Sequence, residues 1–301
     1  MAILKLHQPI DMNTLQAWDG QFPIVNAGQI RATDGVRTQD YFGNFQFDAD
    51  GLTGGTLTST VAYQNGLYYE ITGLNIDAMV MEGYIGDFDF NGALNEVLKG
   101  DDTLIGSAGN DLLKGGSGND SYDGGSGIDT VYYGGAKGSA AVNASGNGYT
   151  VATPGKVDTL INVERVGMGD GSILALDVKA GEHAGSAYRL YQAAFDRKPD
   201  AAGLNYWTHD LDAGNNIQQV AKGFVDSAEF KALNPANDQN SVINNFYLHV
   251  LHRDADTAGL QYWNAEMSSG MTASQVLVSF SESQENIGNV AVEVSGGVWL
   301  S

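Results

Sequence analysis

VLKGDDTLI (97–105), GSAGNDLLK (106–114), GGSGNDSYD (115–123) and GGSGIDTVY (124–132) are four nine-residue units in one register. Glycine recurs at Gly100, Gly109, Gly118 and Gly127, and aspartate at Asp102, Asp111, Asp120 and Asp129. Two places after each aspartate stands an apolar residue: Leu104, Leu113, Tyr122 and Val131. A fixed period sustained over four units defines a repeat architecture before any other signal is weighed. Six residues of each unit turn and three run as a short strand. The glycines, with Gly106, Gly115, Gly116, Gly124 and Gly125 at the unit starts, permit positive φ and close backbone approach in the turns. Two units close one coil, so positions eighteen residues apart lie over one another at one strand spacing, ~4.8 Å.

That stacking sets Asp102 over Asp120 and Asp111 over Asp129, while the apolar positions point inward. Carboxylates so close repel one another unless a cation separates them, and the turn carbonyls supply further oxygens. An all-oxygen ligand set of flexible number suits calcium better than magnesium or zinc. The expected metal ligands are therefore the four aspartates and the carbonyls of the nine glycines named above. A glycine-rich flexible linker is the other reading of the stretch, and it does not account for the fourfold register.

In its spacing the segment resembles the RTX family of calcium-binding parallel β-rolls, with the consensus GGxGxDxUx. Val97, Leu98 and Lys99 depart from that consensus, and Ser107 stands where the second unit would have its second glycine. The resemblance implies about two well-formed calcium sites. It also implies a type I secretion substrate, exported unfolded through an uncleaved C-terminal signal and folding where calcium is about millimolar.

Composition points the same way. Of 301 residues, 15 are basic and 36 acidic, a net charge of −21 that argues against nucleic acid as a partner. The 40 glycines follow no three-residue period, which excludes collagen. There is no cysteine for disulfides or thiolate metal sites. No apolar run is long enough to span a bilayer, so an integral membrane protein is not expected. The opening segment MAILKLHQPIDMNTLQAWDG is interrupted by Pro9 and Asp11 and does not read as a signal peptide.

The last third is duplicated with an offset of 56. Tyr191, Arg197, Asp200, Gly203-Leu204 and Tyr206-Trp207 recur as Tyr247, Arg253, Asp256, Gly259-Leu260 and Tyr262-Trp263. Asp200, Asp256, Ser227 and Ser283 read as helix N-caps, giving two or three short helices used twice. Trp207 and Trp263 sit at apolar helical spacing and read as core anchors, with a glycan platform as the alternative role. RKPDAAGLNYW (197–207) resembles a tandem domain-of-unknown-function family that often follows RTX repeats in secreted and surface-layer-like proteins.

The expected fold is multidomain α+β. An N-terminal β-sheet domain (1–96) precedes the β-roll (97–135), a β cap (136–180), a duplicated helical domain (181–290) and a tail (291–301). Asn65-Gly66 marks a hairpin, and a short helix is expected near 75–82. Asp87, Asp89, Asn91, Gly92 and Leu94 match an EF-hand loop, but Leu98 stands at its closing glutamate and Glu96 falls two places early, so a polar turn is expected. His249 and His252 could share a metal, yet Ala193 and Asp196 replace them in the first repeat, and a capping or solvent-facing pair is expected. There is no HExxH, GxSxG or GxxxxGK[ST] motif, so the chain does not read as an enzyme. The expected role is a secreted calcium-binding structural or interaction protein of the cell surface or matrix, self-assembling through the strand-like ends AILKL, NVAVEV and GVWL. The alternatives are a carbohydrate- or surface-binding adhesin module and, last, a hydrolase.

Overall fold

The alternating segment Ile3–Leu6 buries Leu4 and Leu6 and forms strand β1 in the computed structural model, which describes residues 1–236 and 238–301. Beyond it come β2 (Gln21–Val25), β3 (Gln29–Thr33), β4 (Arg37–Asp48), β5 (Gly51–Gln64), β6 (Leu67–Thr72) and β7 (Ile76–Asp77). Strands β2 to β6 pair antiparallel in sequence order. The expected hairpin is present, with Asn65 and Gly66 at φ 56° and 121°. Helix α1 (Ala78–Gly86) begins later than expected because Asp77 caps it, accepting from the Met79 amide at 2.8 Å. Helix α2 (Phe90–Val97) corrects the polar-turn reading. Asp89 is its N-cap, accepting from the Gly92 amide, while Asn91, Gly92 and Leu94 lie within the helix. Asp87 follows α1 as its C-cap, so these residues form no metal-binding loop.

The nonapeptides supply β8 (Thr103–Ile105), β9 (Leu112–Leu113), β10 (Ser121–Asp123) and β11 (Thr130–Tyr133). β8 pairs parallel with β10 and β9 with β11, each at the eighteen-residue offset. A hairpin, β12 (Ala141–Ser145) and β13 (Gly148–Thr153), interrupts the coil before β14 (Lys156–Ile161) and β15 (Arg165–Met168) add a further rung, parallel to β10 and β11. At the other end β1 pairs parallel with β8, and Asp11 bridges Leu112. Leu4, Leu104, Tyr122 and Leu160 thus form one inward stack, each at most 3% exposed. Leu113, Val131 and Val166 form the other.

Because β1 also pairs antiparallel with β6, the N-terminal sheet and one face of the roll are continuous. That sheet is open, with β2 and β12 at its ends. Met1–Gly171 is one compact unit and Ser172–Ser301 a second.

In the second unit β16 (Ile173–Ala175) pairs antiparallel with β17 (Val298–Trp299). Between them run α3 (His183–Phe195), α4 (Ala201–Asp212), α5 (Ile217–Asp226), α6 (Ala228–Leu233), α7 (Gln239–Leu251), α8 (Thr257–Ser268), α9 (Ala273–Ser281) and α10 (Gln284–Val294). Among the described residues each repeat holds four helices, where two or three were expected. The starts of α3 to α6 recur in α7 to α10 at the offset of 56. Asp200, Asp256, Ser227 and Ser283 are N-caps as read from the sequence, and the capping boxes at Asn216 and Thr272 start the unanticipated helices. The segment NVAVEV (289–294) is helical, the end of α10, where a strand was expected. The Ser283 cap nucleates a helix whose inward face carries Val290 and Val294.

Candidate metal centre

Within the repeat, positive φ falls at Gly116, Gly118, Gly125 and Gly127, in the two units that carry the full GGxG turn. These turns bring the main chain of successive coils together. A Cβ on Gly118 would strike the Gly100 carbonyl, and one on Gly127 would lie 2.7 Å from the Gly109 carbonyl carbon. Gly106, Gly115 and Gly124 line the turns instead. A Cβ there would meet Oδ2 of Asp111 (3.1 Å), of Asp120, and of Asp129 (2.7 Å), so each Oδ2 points into the hollow of its own turn.

The Oδ1 atoms build two ladders. On one edge Asp102 accepts from the Ala2 amide, Asp120 from the Asp102 amide (3.0 Å) and Asp158 from the Asp120 amide (2.9 Å). On the other edge Asp111 accepts from the Ile10 amide (2.6 Å), Asp129 from the Asp111 amide (2.8 Å), and Glu164 from the Asp129 amide (2.9 Å). All four repeat aspartates are buried.

One oxygen of each carboxylate is thereby engaged, and the fate of the second differs. Asp111 Oδ2 accepts from the Ser107 amide at 2.6 Å. Asp120 Oδ2 faces the Lys156 ammonium at 3.4 Å. Oδ2 of Asp102 and Oδ2 of Asp129 are buried and accept no hydrogen bond. Burial pushes the Asp129 carboxyl up to about 7, with Glu164, Asp111 and Asp123 adding repulsion. Burial pushes Asp120 up to about 6 against the pull of the Asp102 amide and Lys156. Buried carboxylate oxygens without donors, one on each edge, are the environment a hard cation relieves. Asp102 with Asp120 and Asp111 with Asp129 would hold calcium, and the turn carbonyls would complete its shell.

Asp158, Glu164 and Lys156 were not singled out from the sequence. The signal was there: Asp158-Thr159-Leu160-Ile161 repeats Asp102-Thr103-Leu104-Ile105. The hairpin hides it by shifting the offset from Asp120 to 38 residues.

The remaining candidates fill structural roles. His249 bonds the Ala193 carbonyl through Nδ1 at 3.1 Å, and His252 is the left-handed C-cap of α7. His183 pairs with Asp212 at 2.7 Å, and Asp177 accepts from the Ala184 amide. Trp207 and Trp263 pack on Phe224 and Phe280, at ring-centroid distances of 5.0 and 5.1 Å. Tyr206 and Tyr262 beside them are 63% and 56% exposed. Arg197 ties the turn after α3 to Glu229 at 2.8 Å and lies over the Tyr191 ring.

Stacked coils of two nine-residue units each, with inward-facing apolar columns and aspartate-lined turns, define a calcium-binding parallel β-roll. Residues 99–131 match the RTX calcium-binding nonapeptide repeat family, and residues 182–234 and 236–290 match DUF4214, a domain of unknown function. The chain carries an RTX repeat followed by tandem DUF4214 domains, and the RTX repeat family binds calcium. No curated protein matches the chain. Among solved structures, the extracellular lipase LipA from Serratia marcescens aligns at 23% identity over 23% of this chain and 13% of that one, with a TM-score of 0.15. The chain thus spans a small part of that lipase. RTX repeats are typical of secreted proteins, and among the described residues no helix is long and apolar enough to cross a membrane.

Proposed function

We propose that this chain is a non-enzymatic, secreted interaction protein of the cell surface or extracellular matrix, exported by type I secretion, whose Met1–Gly171 unit folds when calcium binds. The observation that carries this reading is the pair of buried, donorless oxygens, Asp102 Oδ2 and Asp129 Oδ2, one on each turn edge. Without a cation they repel their neighbours, and with one they hold the coils together, so binding shifts the unit towards its folded state. Circular dichroism and thermal melting in chelator and in millimolar calcium test it: strand signal and melting temperature should rise with calcium, and identical spectra and melting curves would refute the reading.

Self-association remains part of the proposal, by strand addition at an open sheet edge. β1 is paired on both sides and offers no edge, while β17 pairs with β16 on one side only and ends its sheet. The ends of the larger sheet are β2 and β12. Pro23 lacks an amide and blunts β2, which leaves β12 and the C-terminal β17 as edges for strand addition. A second reading, glycan binding, is favoured by the exposure of Tyr206 and Tyr262 on equivalent helices. Glycan-array binding that survives Tyr206→Ala with Tyr262→Ala would exclude it.

A further inference from the structure

Three rungs stack on the edge that carries Asp102, Asp120 and Asp158, leaving two gaps between coils, and the third rung is entered through the β13–β14 hairpin instead of a glycine turn. In the first gap Asp102 Oδ2 accepts no hydrogen bond. The second gap is different. Lys156 Nζ donates to the Gly116 carbonyl at 2.9 Å and lies 3.4 Å from Asp120 Oδ2 and 3.0 Å from Asp158 Oδ2. Both carboxylates are fully buried, and the lysine side chain is 16% exposed. The Tyr133 hydroxyl donates to Asp158 Oδ2 at 2.9 Å, and the Tyr133 ring centroid is 5.4 Å from the ammonium. One turn carbonyl and a carboxylate from each of two successive coils therefore converge on a single cationic atom. That is the oxygen set the repeat offers to a divalent ion, here met by a side chain of the chain itself.

We propose that Lys156 is a tethered cation that takes the place of calcium in the last gap of this edge. It ends the metal column, fixes the number of ions the edge accepts, and keeps the closing rung together where calcium is scarce. The charge logic is direct. Two buried carboxylates facing each other need positive charge between them, and an ammonium on a flexible stem supplies it without leaving a coordination shell to fill. Lysine is strongly hydrated in the open, so its placement here is set by the three oxygens and the aromatic ring beside it. Removing the side chain restores the condition of a calcium site: two facing carboxylates, a free turn carbonyl and room for an ion.

The inference rests on the calcium reading above, and the experiment separates the two. Full-length wild type, Lys156→Ala and Lys156→Arg are dialysed against saturating calcium, and bound metal per chain is counted by atomic emission. Thermal unfolding is recorded in chelator and in calcium. Lys156→Ala should bind one ion more per chain than wild type, and Lys156→Arg the wild-type number. The alanine variant should melt below wild type in chelator, with the gap narrowing or reversing in calcium. Should it fail to fold in chelator, it is refolded in calcium and the count is made there. A wild-type count in Lys156→Ala overturns the proposal while leaving the calcium reading intact. An extra ion in both variants also overturns it, by tracing the effect to turn shape instead of charge. A wild type that binds no calcium overturns both.

Discussion

Asp129 combines full burial, an amide donor on one oxygen and none on the other, and three acidic neighbours. Its folded-state pKa of about 7 and the value of about 6 at Asp120 both lie above the ordinary 3.8. In chelator the folded state therefore binds more protons than the unfolded state over this range. Stability contributed by protonation is fully present near pH 4 and is lost as pH rises to about 7. Calcium requires the ionised carboxylates, so in saturating calcium the trend over the same window reverses. Melting temperature of the roll should fall with pH in chelator and rise with pH in calcium. Asp129→Asn should flatten the chelator profile. Parallel profiles in the two buffers would contradict this account.

At the scale of elements, the nonapeptides were legible because their period places the same residue type in the same environment four times. Leu104, Leu113, Tyr122 and Val131 could be assigned to the core, and the aspartates paired, from spacing alone. What spacing could not show is how the coil ends. The final rung, β14 and β15, lies beyond a hairpin that breaks the register, and the first rung, β1, lies a hundred residues away in sequence, where Ala2 meets Asp102. Likewise NVAVEV alternates like a strand, and only the Ser283 cap and the burial of Val290 and Val294 make it a helix. The rung formed by β1 carries a prediction. Leu4 is 3% exposed and stacks on Leu104, so Leu4→Ala should cost about 2–5 kcal/mol although it touches no metal ligand. The calcium concentration for half-maximal folding, followed by circular dichroism, should rise. Met79→Ala, at a position 40% exposed, should leave it unchanged. Equal midpoints for Leu4→Ala and wild type would mean that β1 is not part of the calcium-dependent fold.

The molecule as a whole divides by what holds each part together. Met1–Gly171 contains both carboxylate ladders and shares one continuous sheet between the roll and the N-terminal strands, so losing calcium affects all of it. Ser172–Ser301 is held by an apolar core from Ala175 to Leu300. The buried Arg189 adds to it, pairing with Glu282 through Nε at 2.9 Å and a terminal nitrogen at 2.7 Å. Among the described residues no carboxylate ladder runs through that core, and α4 to α10 are each capped by the side chain of their N-cap residue. Scanning calorimetry should therefore show two transitions, with chelator shifting only one. Limited proteolysis in chelator should degrade the first 171 residues and leave a resistant helical fragment. Glu282→Ala should act the other way, destabilising the helical transition by about 3–5 kcal/mol because it strands a buried guanidinium, while the calcium-sensitive transition stays in place. A single transition that moves as one in both experiments would show that the two units fold as one.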